Sequence, residues 1–313
     1  MTHEETPVTI LQKYFPGFRE VRVDVGGVGI HTLVGGSGPE AVLLLHGHPE
    51  SALMWRLVAP KLAEKYTVVA PDLRGYGMSD KPSGLPDHSN YSKRVMAADQ
   101  IAVMDHLGID AVHVAGHDRG ARVAHRLLLD HAERVKSATL IDIVSTWDAY
   151  ALTGREFATK YWHWFFYTQP YDFPEVFLGS HPEYFIHSNL AKKVGPSARA
   201  NFPDDVMAEY VRYYSDPANV HAIAEDYRAA AGIDLIHDEP DRAHKFATPL
   251  LLLWGANSVV GGLYDVMDLW RRLALDVSGH AVPECGHFVP EEKPDVVIDE
   301  LQRFVAAHSS PRS

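Results

Sequence analysis

Cysteine is almost absent: Cys285 stands alone among 313 residues, so no internal disulfide can form, and a reducing compartment suits the chain. Basic charge is also short. The formal net charge of -12 leaves no cationic footprint for nucleic acid or an anionic membrane surface. Neither is expected as a partner, and an anionic small molecule must meet a local positive site. Long apolar runs are missing as well, since segments such as 41–45 and 250–254 are of strand length and far too short to span a bilayer. The first residues carry Glu4 and Glu5 in place of a basic start, so no signal peptide is expected and a cytoplasmic location is the default. There is no internal repeat, low-complexity tract or metal-ligand spacing of His and Cys. Neither metal nor cofactor is expected.

What is present is ordinary globular composition, with 46% hydrophobic and 22% charged residues, enough to bury one large core or a core with an insertion. Strand-like segments recur at 21–25, 29–34, 41–45, 66–70, 111–115, 138–143, 250–254 and 277–282. The first two, split by Gly26-Gly27, read as a hairpin, and the others alternate with helical pattern as βαβ units. The alternation stops after Ile143 and resumes near Pro249. The intervening stretch is helical in period, rich in aromatics and without a clear strand. The pattern predicts an α/β fold: a doubly wound, mostly parallel sheet built from 1–144 and 244–313, with a helical cap inserted over 145–243. Ligands in such sheets bind outside the carboxyl ends of the strands.

At one of those ends lies Gly116-His-Asp118-Arg-Gly120, a tight turn between a strand and a helix. Glycines on both sides permit the crowded backbone that lifts the central side chain above the sheet, and the following helix N-terminus favours an anion there. Here the lifted group is a carboxylate. His46-Gly47-His48-Pro49 follows the third strand, where the backbone N–H groups of His48 and Arg119 are candidate oxyanion donors; the His46 side chain reads as structural. His287, in Cys285-Gly-His-Phe after the last strand, holds the position and chain order of a base, whereas Cys285 reads as a small buried residue. For the acid that orients the imidazole, Asp142 at the end of the preceding strand is favoured over Asp265.

With these residues in hand, the sequence resembles the haloacetate (fluoroacetate) dehalogenases of the α/β-hydrolase superfamily, through most of its length. That resemblance implies Asp118 as nucleophile, His287 as base, Asp142 as acid, and Arg119 and Arg122 as a clamp for the substrate carboxylate. It implies His163, Trp164 and Tyr227 as halide-binding donors, a haloacid substrate and a homodimer. The chemistry fits the residue types. A carboxylate is already ionised at pH 7 and can displace halide from an sp³ carbon, as a serine cannot readily do. The two arginines, one helical turn apart, can grip a carboxylate, and several N–H and O–H donors can meet the charge gathering on a leaving fluoride. Trp162, Phe165 and Phe166 read as core.

The segment Ser188-Asn-Leu-Ala-Lys-Lys-Val-Gly195 departs from some family members, which carry another pocket tryptophan there. The preferred halogen therefore stays open. The competing expectation is an epoxide hydrolase, which shares His-Gly-x-Pro, the aspartate and the late histidine. It would pair Tyr227 with Tyr150, Tyr161 or Tyr167, and has no use for two arginines beside the nucleophile. A third possibility, a ligand-binding hydrolase fold without turnover, is disfavoured by the retained Asp118, His287 and Asp142.

Overall fold

A computed structural model describes residues 9–195 and 199–309. Eight strands form one sheet: β1 Arg19–Val25, β2 Val28–Gly35, β3 Ala41–Leu45, β4 Thr67–Pro71, β5 Val112–His117, β6 Val135–Ile141, β7 Leu250–Gly255 and β8 Val277–Val282. Their order is β1-β2-β4-β3-β5-β6-β7-β8. The β1–β2 hairpin turns on Gly26 and Gly27, whose φ values of 63° and 88° lie in the region where only glycine is at ease. β2 also runs antiparallel to β4, and every later pairing is parallel. The sheet is mostly parallel and doubly wound, as expected.

All five residues of β3 and all six of β5 are buried. Because successive strand side chains point to opposite faces, this requires cover on both sides. The helix Arg119–Asp130 lies along β3, β5 and β6, and Pro294–His308 also packs on β6. A single turn, Val289–Glu292, precedes the latter. Lys293 (φ -136°, ψ 57°) then leaves the helical region as residues before proline tend to do, and Pro294 opens the long helix near its first turn.

Between β6 and β7 the described residues form helices from Thr146–Ala151 to Ile233–Asp241, with no strand among them. They pack through aromatic rings, Tyr167 stacking on Tyr227 at 4.6 Å between centroids and Phe185 on Tyr214 at 5.4 Å. In the short helix Trp162–Tyr167, His163, Trp164 and Tyr167 are buried. Trp162 is 47% exposed, which corrects the expectation that it is core, whereas Phe165 and Phe166 are half-buried and pack against the hydrophobic core. Five aromatics and a histidine in under two turns cannot share one face, and the inward stripe falls on i, i+1 and i+4. No described helix is long and apolar enough to cross a membrane.

Candidate active site

The strand order places a switch point between β3 and β5: the chain leaves β3 for β4 on one side and returns through β5 on the other. Asp118 sits at that point, directly after β5, with φ 44° and ψ -110°. For a residue with a Cβ this is a strained conformation, held by its surroundings. A Cβ on Gly116 would lie 2.6 Å from the Gly120 carbonyl, and one on Gly120 would collide with the carbonyls of Leu45 and His46. The two glycines therefore serve close backbone approach, which lets the helix Arg119–Asp130 start against β3. The backbone N–H of His48 donates to Asp118 Oδ2 at 3.2 Å. Arg119, as the first helical residue, has an amide with no intrahelical acceptor. Burial opposes ionisation of Asp118, but electrostatic interactions with His287, Arg122, His117 and Arg119 outweigh it and hold the carboxyl well below the usual carboxylate range.

His287 Nε2 lies 4.0 Å from Asp118 Oδ2, while Nδ1 is 2.5 Å from Asp142 Oδ2. Asp142, itself at φ 55°, also accepts the Gly255 N–H at 3.0 Å. Asp265 is elsewhere, accepting the Asp268 N–H as a helix cap. Of the two acids, Asp142 alone reaches the imidazole. Burial lowers the His287 pKa below its ordinary value although Asp142 pulls the other way. The free imidazole is thus the form present at pH 7. With His287 as the base expected from the sequence, the acid limb of kcat should fall below pH 6.5, where the imidazole gains a proton; a limb centred above pH 7 would show that another group titrates.

The two arginines differ. Arg119 is fully buried and donates Nε to Asp226 Oδ2 at 2.8 Å and Nη2 to Oδ1 at 2.7 Å. Asp226 also accepts Tyr76 Oη at 2.7 Å and pairs with Lys93. Only Arg119 Nη1 is left without a partner. Arg122 has no carboxylate within ion-pair distance among the described residues. Its Nη1 donates to the Val144 carbonyl at 3.2 Å and Thr146 Oγ1 at 3.1 Å, its Nε is buried without a partner, and its guanidinium lies 4.6 Å from the Trp164 ring. Burial and the neighbouring Arg119 lower its pKa, with Asp118 opposing. A buried cation without a counter-ion is costly and is met best by an anionic ligand.

Helices of the segment between β6 and β7 bring the remaining side chains. His163 stacks on His48 at 6.1 Å, and Tyr227 lies 5.5 Å from His48 and 6.0 Å from Trp164. Burial, with Lys193 and His48 adding to it, keeps the His163 imidazole well below its usual pKa and therefore neutral. Burial and Asp118 keep the Tyr227 phenol protonated. His163 and Trp164 flank Tyr227 in one aromatic cluster, with ring centres 6.1 and 6.0 Å from it, and the three carry N–H and O–H donors. His48 Nε2 meets Tyr167 Oη at 3.0 Å and also Tyr214 Oη. His46, as read from sequence, is structural: Nδ1 donates to the Gly47 carbonyl at 2.8 Å and Nε2 accepts the Leu73 N–H at 2.9 Å. His117 Nε2 donates to the His287 carbonyl at 2.8 Å. Asp226, Tyr214, Lys193 and Glu50, the last buried behind Asp118 with its carboxyl raised to about 7 by burial, had no signal in the sequence. Each acts across more than a hundred residues or from an unremarkable local pattern. Among the described residues no cluster of three or more His, Cys, Asp or Glu side chains is arranged for a metal ion.

A family model of the alpha/beta hydrolase fold matches residues 40–294. The chain is 40% identical to a fluoroacetate dehalogenase of Burkholderia sp over 292 residues, covering 93% of this chain and 95% of that relative. It is 34% identical to a soluble epoxide hydrolase of Corynebacterium sp. (strain C12), covering 90% of this chain and 95% of the relative. The crystal structure of ALR0039 from Nostoc sp PCC 7120 superposes with a TM-score of 0.90 at 49% identity, with 93% of this chain and 99% of that chain covered.

Proposed function

The chain belongs to the haloacetate dehalogenase family of the alpha/beta hydrolase fold, and from that premise we propose that it hydrolyses haloacetates to glycolate and halide through an ester on Asp118. The single observation that carries this is Arg122, a buried guanidinium without a carboxylate partner next to an ionised Asp118. Arg122, helped by Nη1 of Arg119, binds the substrate carboxylate and aligns the α-carbon. His48 N–H holds Oδ2 of Asp118, so Oδ1 attacks. The new C–O bond forms as the carbon–halogen bond breaks, and the halide leaves toward His163, Trp164 and Tyr227, whose donors stabilise the transition state more than the ground state.

Water then attacks the Asp118 carbonyl carbon and gives its proton to His287, which Asp142 orients. The carbonyl oxygen becomes an oxyanion facing the His48 and Arg119 amides, and glycolate leaves with the proton returned by the imidazolium. Residues 145–243 act as the cap that covers this site, and 1–144 with 244–313 as the core.

An epoxide hydrolase is the second possibility, favoured by the Corynebacterium relative and by Tyr150 Oη, buried without a partner near the same space. The two separate in one panel. With fluoro-, chloro- and bromoacetate the expected products are halide and glycolate in equal amounts, with no diol from a terminal epoxide. Diol formation without halide release from any haloacetate overturns the proposal.

A further inference from the structure

Beside His163 and the loop of His287 lies a cation that haloacetate hydrolysis does not use. Lys193 ends the helix Pro182–Lys193, and its carbonyl accepts the His287 N–H at 2.9 Å, which ties this residue to the loop of the base. Its ammonium lies 5.6 Å from the centre of the Tyr161 ring, and Tyr161 lies 5.4 Å from His163 and 6.4 Å from His287. Burial lowers the ammonium to about 8 against the pull of Asp118, Glu50 and Asp142. It is still mostly charged at pH 7.

Lys193 and His163 also line a cavity of about 380 Å³, together with Phe185, Ser188, Asn189 and Ser258. That is the size of a small-molecule site and more than a two-carbon acid needs. Asn189 lines it as well, and its Nδ2 has no hydrogen-bond partner among the described residues. His163 lines this cavity and stacks on His48, whose backbone N–H donates to Asp118, so the cavity adjoins the nucleophile across that pair of imidazoles. Asp118 and Asp142 would repel an anionic substituent; the Lys193 ammonium and the Asn189 amide beside it offset that repulsion, and an alkyl substituent needs neither.

We propose that Lys193 and Asn189 form a second anion subsite beside the halide donors, and that the chain accepts α-haloacids whose α-carbon carries a second carboxylate, of the 2-halosuccinate type. This rests on the dehalogenase proposal above, with Arg122 holding the first carboxylate. Turnover of chloroacetate, both enantiomers of 2-chlorosuccinate, and 2-chlorobutyrate, which is similar in size to chlorosuccinate but lacks the second charge, tests it. Wild type should favour one chlorosuccinate enantiomer over chlorobutyrate by at least about tenfold in kcat/KM. Lys193→Met should cut that ratio about tenfold or more, and Lys193→Arg should keep most of it.

Succinate should also inhibit wild-type chloroacetate turnover more strongly than butyrate, a comparison that needs no substitution. If chloroacetate releases halide but chlorosuccinate shows no advantage over chlorobutyrate, or if Lys193→Met leaves the ratio intact, the second subsite is refuted and the dehalogenase proposal stands. If no haloacid releases halide, the dehalogenase proposal itself fails and takes the subsite with it.

Discussion

His287→Asn should release one halide per molecule of enzyme and then stop. Displacement needs only the ionised Asp118, a carboxylate that Arg122 and Arg119 favour without any base. Hydrolysis of the ester needs a proton acceptor, a contribution typically worth ~10²–10⁴ in rate. Steady-state turnover should fall by that factor while the burst keeps its amplitude, and the peptide containing Asp118 should gain the mass of a carboxymethyl group. Asparagine suits the test because its side-chain amide can still donate to Asp142, which otherwise is left buried without its 2.5 Å partner. Loss of the burst itself would mean that His287 acts before the ester forms. In wild type, a single turnover in ¹⁸O-water should place the label in the Asp118 carboxylate. Label appearing first in glycolate would mean direct hydrolysis without an ester.

Arg122→Leu should lower haloacetate kcat/KM by roughly thirtyfold to several thousandfold. Removing one partner of a desolvated charge pair costs ~2–5 kcal/mol, at ~1.4 kcal/mol per factor of ten. Lysine should restore only part, because it keeps the charge and loses the planar fork. Haloacetamide, where it is turned over, should lose much less. Thermal unfolding separates the two arginines. Arg122 has no ion pair to lose, only two hydrogen bonds from Nη1, so its replacement should move the melting temperature little. Arg119→Leu strips a bidentate partner from buried Asp226, a loss of ~3–5 kcal/mol, on the order of 10 °C for a chain of this size. If Arg122→Leu turns over haloacetate within about threefold of wild type with an intact fold, ~0.65 kcal/mol, Arg122 does not hold the carboxylate and the epoxide possibility moves to first place.

That contrast marks where the sequence stops being informative. Arg119 and Arg122 read alike along the chain, one turn apart on one helix and equally suited to a carboxylate. They part because Asp226, 107 residues beyond Arg119, folds onto one guanidinium and not the other. The same holds for the acid: Asp142 and Asp265 both follow strands near the right place, and only the distance to His287 Nδ1 separates them. Trp162 shows the reverse failure, a local one. Its aromatic character suggested burial, but the inward face of a helix shorter than two turns is set by what packs on it.

By itself, the sequence determined the sheet, the strained turn at Asp118 and the set of residue types gathered around it. Those depend on short-range causes: apolar runs long enough for strands, glycines where backbones touch, and a helix N-terminus beneath a carboxylate. Only the tertiary structure decided which cation is already neutralised, which acid reaches the imidazole, and that Lys193 lies beside the loop of His287. Charge pairing and desolvation depend on distance and burial in three dimensions, and side chains far apart in the sequence set both.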